Sequence, residues 1–127
     1  MVNFKEETLE TLKDYDKTWK DVKFIQGNSF AVLNSKEDFL KLMDFEYDSG
    51  YGSPEIATDL IIVGEDWWLE RHEYDGSEWW KYKELPKLNT CFKPVKYLCA
   101  EQINKVGWKT LEELNKEPEV LISEVYE

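Results

Sequence analysis

The central third of the chain constrains the fold most, because three β-rich segments follow one another with only short turns between them. They are residues 57–63 (ATDLIIV), 67–74 (WWLERHEY) and 78–83 (EWWKYK). The last two are joined across Asp75-Gly76, a dipeptide that favours a type I′ hairpin turn because both central residues of that turn have positive φ. The sequence therefore predicts an antiparallel meander of three strands.

Side-chain alternation in the second of these strands places a tryptophan on each face of the predicted sheet. One face carries Trp68, Glu70, His72 and Tyr74, and the other carries Trp67, Leu69, Arg71 and Glu73. Because helices cover only part of such a sheet, we expect some of this aromatic surface to be exposed, as at a binding site. We expect two or three of the four tryptophans of these strands to be buried.

Helix-start signals precede the meander. Asn3 is a candidate N-cap for an amphipathic helix over residues 3–18, where apolar side chains recur at helical spacing,. Ser35 and Asp38 resemble a capping box, followed by apolar residues that predict a second helix of about two turns. We therefore expect two short helices before the meander.

Further elements are predicted outside the centre. Residues 22–26 and 30–33 are short apolar or alternating runs, which predict a hairpin or bend between two strands,. Residues 95–106 have apolar side chains at helical spacing, and Thr110 with Glu113 forms another capping box,. These signals predict one or two more strands and two more helices.

The expected architecture is a single α+β domain over residues 1–127. An antiparallel sheet, made of the central meander and one or two further strands, packs with three or four short helices. The composition of residues 44–55 predicts a loop, and the alternating segment 119–127 predicts a last edge strand. A chain of 127 residues with 42% hydrophobic residues is large enough to bury one core,.

The negative charge is concentrated in one stretch. The net charge is −11, and residues 44–78 hold eleven acids and one base, whereas the remaining 92 residues hold 16 acids and 15 bases. We expect these acids to form one outward-pointing field, which disfavours nucleic acid and favours a basic protein partner. A solvated sheet with charged turns is the plainer alternative. The sharper alternative is a mimic of a phosphate backbone.

The residues expected to bind a partner combine this charge with aromatic anchors, since Trp and Tyr often dominate binding energies. They are Asp44, Glu46, Asp48, Glu55, Glu65, Asp66, Glu70, Glu73, Asp75, Glu78, Trp67 and Trp79. A stacking platform for single-stranded nucleic acid is disfavoured, because such platforms normally lie in a positive groove.

Four of these acids match part of a calcium-binding loop. Asp44, Glu46, Asp48 and Glu55 occupy positions 1, 3, 5 and 12 of a twelve-residue window,. Position 6 is Ser49 instead of the glycine that permits the sharp turn, and a strand-like run follows instead of a helix. The match makes a weak calcium candidate, and we expect no cofactor.

The single histidine lies beside carboxylates. Glu70 and His72 share a strand face, where a carboxylate can orient an imidazole for acid–base chemistry,. A nucleophile would have to come from Cys91 or Cys99, which we expect to be reduced thiols. We favour the plainer interpretation, in which Arg71 pairs with a carboxylate across the sheet and His72 bonds within it. We therefore expect no enzymatic activity.

Residues 55–87, EIATDLIIVGEDWWLERHEYDGSEWWKYKELPK, resemble a group of small phage and prophage proteins of Gram-positive bacteria. WLER (residues 68–71) followed by EYDGSE (residues 73–78) is the most specific part, and the resemblance covers about half of the chain. It brings no activity or catalytic residues. It implies a setting in which small accessory proteins bind and disable host machinery, including CRISPR nucleases, and in which acidic ones occupy nucleic-acid grooves.

The expected function is that of a phage-type acidic protein that inhibits a host nucleic-acid-handling or defence protein, in the manner of an anti-CRISPR protein or a DNA mimic. Two alternatives stay open: a structural or assembly subunit, which would form homo-oligomers, and a metal-dependent or His-assisted enzyme. The first ten residues, MVNFKEETLE, lack the basic and apolar regions of a secretory signal,. We therefore expect the protein in the cytoplasm of a bacterial host, without membrane contact.

Overall fold

A computed structural model describes residues 1–116 of the chain. Its contacts divide the chain into two compact units, Met1–Pro86 and Lys87–Glu127. The antiparallel sheets and short helices form the α+β fold that the sequence predicts. The single domain over residues 1–127 stays a prediction.

The main sheet of the first unit has four antiparallel strands in the order β2-β4-β5-β6. They are β2 (Phe24–Gln26), β4 (Ile61–Val63), β5 (Trp67–Tyr74) and β6 (Ser77–Glu84). The predicted meander is confirmed, although its first strand is shorter than predicted. Asp75 and Gly76 have φ values of 49° and 86°, so the hairpin turn has the positive φ at both positions that a type I′ turn requires,.

A second, smaller sheet has one of its two strands in the segment of residues 44–55, which was predicted to be a loop. Strand β1 (Val2–Asn3) pairs antiparallel with β3 (Glu46–Tyr47). The predicted strand over residues 30–33 is reduced to a single bridge between Gln26 and Ala31. Two-residue strands and single bridges have too few residues for alternation to be visible in the sequence.

The two helices of this unit begin at the predicted caps. Helix α1 (Phe4–Asp14) starts after Asn3, whose side chain accepts a hydrogen bond from the Glu6 backbone N–H at 3.0 Å. Helix α2 (Lys36–Leu42) starts after Ser35, whose hydroxyl oxygen accepts from the Asp38 backbone N–H at 3.1 Å. Both caps are confirmed. Helix α1 ends before the predicted residue 18.

The core of the first unit lies between α1 and the inner face of the main sheet. Trp80 Nε1 on β6 donates to Thr8 Oγ1 on α1 at 2.8 Å, and the Phe4 ring stacks on Trp80 at 5.6 Å. The buried hydrophobic side chains around this contact are Leu12, Val22, Ile25, Met43, Tyr47, Ile56, Ile62, Trp67 and Leu69. The inner face of the sheet is therefore covered by packing.

The second unit contains less helix than predicted. In place of a helix over residues 95–106, only a 3₁₀ helix over Ala100–Ile103 forms, and Asn104 ends it with φ 55°. The Gln102 side chain competes with helical hydrogen bonding in the preceding segment. Its Oε1 accepts from the backbone N–H groups of Leu98 and Cys99 at 2.9 and 3.0 Å,. The predicted helix is therefore wrong over most of its length.

The remaining predicted elements have different outcomes. Helix α3 (Leu111–Leu114) follows Thr110, whose hydroxyl accepts from the Glu113 backbone N–H at 3.1 Å, so this capping box is confirmed. The predicted strand over residues 119–127 lies outside the described residues. Within residues 1–116, no helix is long and apolar enough to cross a membrane.

Candidate functional site

Arg71 is buried in the inner face of the sheet, where it binds two carboxylates. Its Nη1 lies 3.0 Å from Glu7 Oε1 and its Nη2 lies 2.9 Å from Glu78 Oε1, with only 4% of its side chain exposed. Its guanidinium carbon lies 4.8 Å from the centre of the Trp80 ring, close enough for a cation–π contact,. The predicted pairing of Arg71 across the sheet is confirmed.

A buried tyrosine completes this network. The Tyr47 hydroxyl donates to Glu7 Oε2 at 2.7 Å and accepts from Arg71 Nη2 at 3.1 Å. Burial raises the pKa of Tyr47, and the hydrogen bond to Glu7 raises it further. Burial by itself lowers the pKa of Arg71, but its hydrogen bonds, with Glu78 first, raise that pKa above its usual value. Arg71 is therefore a cation and Tyr47 a neutral donor at any physiological pH.

Glu78 also holds a loop against the edge of the sheet. Its carboxylate accepts from the backbone N–H groups of Glu55 at 2.6 Å and Ile56 at 3.2 Å. Its own backbone N–H donates to the Ser49 carbonyl at 2.8 Å. These three bonds fix the segment of residues 49–56 beside β6.

Two predicted partner-binding residues are not available to a partner. Glu78 is 6% exposed and Trp67 is 3% exposed. Strand alternation places both on the inner face, where Glu78 pairs with Arg71 and the Trp67 ring stacks on Tyr82 at 5.9 Å. The prediction is therefore wrong for these two residues. Of the four tryptophans of the hairpin, Trp67 and Trp80 are buried, as expected for two of them.

The other predicted acids do not form one patch. Glu65 and Asp66 precede β5 and Asp75 follows it, so the eight-residue strand separates them by about 25 Å,. Asp44 accepts a hydrogen bond from Asn3 Nδ2 at 2.9 Å, and Glu46 is exposed on the small sheet. The expectation of a single outward-pointing field is therefore wrong, because the strands carry the acids to different places.

Four of the acids lie on chain segments that meet at the end of the sheet that carries the β5–β6 turn. A Cβ at Gly76 would lie 3.6 to 3.7 Å from backbone atoms of residues 50–52, so the loop backbone touches the turn. We call the four exposed carboxylates on these two segments the acidic hairpin end: Asp48, Glu55, Glu73 and Asp75. Within residues 1–116, none of the four takes part in an ion pair.

Exposed rings accompany the acidic hairpin end. Tyr51 in the loop is 82% exposed, and Tyr74 at the end of β5 is 76% exposed. Trp79 is 39% exposed and lies directly across from His72 on the outer face of the sheet. The predicted anchor Trp79 is thus accessible. Tyr51 was missed, and the glycines on both sides of it were the signal that its loop could approach another backbone.

The outer face holds the predicted histidine–carboxylate pair. Glu70 accepts from Trp68 Nε1 at 2.7 Å, lies 2.7 Å from His72 Nε2, and forms an ion pair with Lys83 at 3.1 Å. The hydrogen bond from Trp68 is the largest of the effects that lower the pKa of Glu70 to about 2. The carboxylate orients the imidazole as predicted. Cys91 and Cys99 are exposed free thiols of the second unit.

The calcium candidate is not assembled. Among residues 1–116, no group of three or more His, Cys, Asp or Glu side chains is placed to hold a metal ion. Asp48 Oδ1 accepts from the Gly50 backbone N–H at 3.0 Å, and β3 keeps the chain extended through Glu46. Positions 3 and 4 of the candidate loop are therefore held in a strand that pairs with β1.

Comparison with known proteins adds no relative: no protein family model, no curated protein and no solved structure matches this chain. The resemblance of residues 55–87 to phage proteins therefore stays a prediction from the sequence.

Proposed function

We propose that the chain is a non-catalytic binding protein whose acidic hairpin end docks on the basic surface of a host nucleic-acid-handling or defence protein. The observation that carries this proposal is the contact of the loop backbone with the Gly76 turn. It brings together the two chain segments that carry the exposed residues Asp48, Glu55, Glu73 and Asp75.

The charges of this surface are free to act on a partner. The four carboxylates are exposed and, within the described part of the chain, have no cationic side chain paired with them. Such a cluster accelerates the approach of a basic surface and places carboxylates where phosphates would otherwise bind. Because the screening length is about 8 Å at physiological ionic strength, the attraction weakens as salt rises.

The aromatic rings supply the apolar part of the contact. Tyr51 and Tyr74 are largely exposed, and Trp79 is partly exposed. Tyr and Trp bury large areas at a small cost in conformational entropy, and arginine side chains stack on their faces. An arginine-rich surface would therefore satisfy both the rings and the carboxylates.

The buried network keeps this surface in place before binding. Arg71 fixes the Glu78 carboxylate, which in turn holds the backbone of Glu55 and Ile56. A loop ordered in advance loses less conformational entropy when it binds. This explains why a buried ion pair lies directly beneath an exposed loop.

The test compares two variants with the same change in net charge. The first carries Asp48→Asn, Glu55→Gln, Glu73→Gln and Asp75→Asn. The control carries four exposed carboxylates neutralised elsewhere: Glu10→Gln, Asp14→Asn, Asp16→Asn and Glu37→Gln. Each protein is immobilised and used to capture proteins from a Gram-positive lysate at low and high salt, with identification by mass spectrometry.

We expect the wild-type protein and the control to retain a basic nucleic-acid-binding protein at low salt, and the first variant to lose it. The captured protein, once purified, should release a labelled DNA duplex when the wild-type chain is added. Equal capture by both variants, or a complex insensitive to salt, would contradict the proposal. A stable homo-oligomer in light scattering, together with no captured protein, would favour the assembly subunit instead.

A further inference from the structure

Among the strands of residues 1–116, β6 forms an edge of the main sheet, because it pairs there with β5 on one side only. The loop of residues 49–56 occupies the beginning of this edge, where the Ser49 carbonyl accepts from the Glu78 N–H at 2.8 Å. Beyond this hydrogen bond, β6 continues for six more residues to Glu84. The edge therefore has an occupied end and a second part that no strand of the described residues borders.

Two hydrogen bonds establish which backbone groups of β6 point outward. The Glu78 N–H points away from β5, toward Ser49, whereas the Leu85 N–H points toward β5 and donates to the Asp66 carbonyl at 2.8 Å. Because backbone direction alternates along a strand, the even-numbered residues of β6 present their N–H and C=O groups outward. Beyond Glu78, these residues are Trp80, Tyr82 and Glu84.

The outward groups of these three residues have no hydrogen-bond partner among residues 1–116. An extended chain laid beside β6 would pair with them, as in strand addition to other exposed sheet edges. The geometry points to such a docking site: we propose that β6 binds an extended segment of a partner protein that carries acidic side chains at alternate positions. This site is separate from the acidic hairpin end.

The side chains beside the edge determine the chemistry of the segment. Lys81 and Lys83 lie on the outer face between the outward-pointing backbone groups. Lys81 is exposed and has no ion pair in the described part of the chain, and Lys83 is 42% exposed beside Glu70. In an antiparallel addition both lysines belong to closely spaced pairs, with Cα atoms about 4.5 Å apart. Carboxylates two residues apart would face both lysines.

A second copy of this chain is a poorer occupant of the edge. If two β6 strands paired about a two-fold axis at Tyr82, Lys81 of each copy would face Lys83 of the other. Like charges directly opposite one another destabilise an antiparallel pair. The same lysines that favour an acidic segment therefore oppose self-association.

The test uses a synthetic peptide, acetyl-Val-Thr-Glu-Val-Asp-Val-amide, and the full chain labelled with ¹⁵N. We expect the backbone amide signals of Trp80, Tyr82 and Glu84 to shift on addition of peptide and their hydrogen exchange to slow. A peptide with lysine in place of both acids should not bind. A peptide N-methylated at the valine between the acids should bind about tenfold more weakly, because it lacks one backbone donor.

Two variants of the chain separate backbone pairing from side-chain contact. Glu84→Pro removes an outward N–H without removing a bond to β5, and should weaken peptide binding about tenfold relative to Glu84→Ala. Lys81→Glu should exchange the preference for the acidic and the lysine peptide, whereas Lys41→Glu on α2 should not.

Equal binding of the N-methylated and unmodified peptides to the wild-type chain would overturn strand addition, whether or not the proline variant folds. Unshifted amides at saturating peptide would overturn it as well. The same amide signals should not change with protein concentration when no peptide is present. If they do, the occupant of the edge is a second copy of the chain, and the proposal is refuted.

Discussion

The replacement of Arg71 by methionine tests the buried network most directly. The substitution keeps most of the side-chain volume and removes the cation that lies 3.0 Å from Glu7 and 2.9 Å from Glu78. The side chain of Glu78 is 4% exposed and that of Glu7 is 18% exposed, so water can solvate neither carboxylate fully. Removing one partner of such a buried pair costs about 3–5 kcal/mol.

This cost is a large part of the stability of a small unit. Domains of this size unfold with free energies of about 5–15 kcal/mol in total. A loss of 3 kcal/mol corresponds to a fall in Tm of at least about 12 °C. We therefore expect Arg71→Met to be partly unfolded near 37 °C, with its loop released because Glu78 no longer has a fixed orientation.

Urea unfolding followed by tryptophan fluorescence measures the change, since buried Trp67 and Trp80 report on the core. Lys83→Met is the control, because it removes an exposed ion pair with Glu70 and should cost less than about 1 kcal/mol,. The double variant Arg71→Met with Glu78→Gln should be more stable than the sum of the single effects predicts, by about 1–2 kcal/mol. Additive effects, or a cost of Arg71→Met below about 1 kcal/mol, would refute this account of the network.

Acid stability should depend on Glu70, whose folded pKa of about 2 lies below its usual 4.5. The stabilisation of the folded state by ionised Glu70 is complete above about pH 4.5 and is lost as the pH falls toward 2. In the Glu70→Gln variant, the urea concentration at the unfolding midpoint should therefore fall less steeply with pH over this range. Thr8→Val leaves buried Trp80 Nε1 without its acceptor and should cost about 1–3 kcal/mol by urea unfolding, whereas Thr8→Ser should cost much less,. Gly76 has a φ of 86°, so Gly76→Ala should lower the free energy of unfolding by about 1–2 kcal/mol,. An unchanged free energy of unfolding would show that the turn adopts another backbone conformation.

The sequence predicted the elements whose signals are local. The β5–β6 hairpin follows from alternation and the Asp75-Gly76 turn, and the two helix starts follow from Asn3 and Ser35, whose side chains act within three residues. The predicted helix over residues 95–106 failed because side-chain hydrogen bonds to the backbone competed with its apolar spacing,.

The candidate site was predicted less well, because its decisive contacts join distant residues. Nothing in the spacing of Glu7, Tyr47, Arg71 and Glu78 shows that they meet, so the sequence predicts Glu78 to be a surface acid. Charge along the sequence also does not show on which end or face of a sheet each carboxylate lies. Only the packing of the loop against the Gly76 turn separates the acidic hairpin end from the other acids.

The sequence distances spanned by the core contacts have a consequence for the order of folding. Hydrogen bonds between α1 and the sheet join residues 64 and 72 positions apart, at Arg71 with Glu7 and at Trp80 with Thr8. The hairpin closes over two residues, and the entropy lost in closing a loop grows with its length. The hairpin should therefore be formed in the transition state and α1 should dock late. Substitutions in the turn would then slow refolding, whereas substitutions at Thr8 would mainly accelerate unfolding.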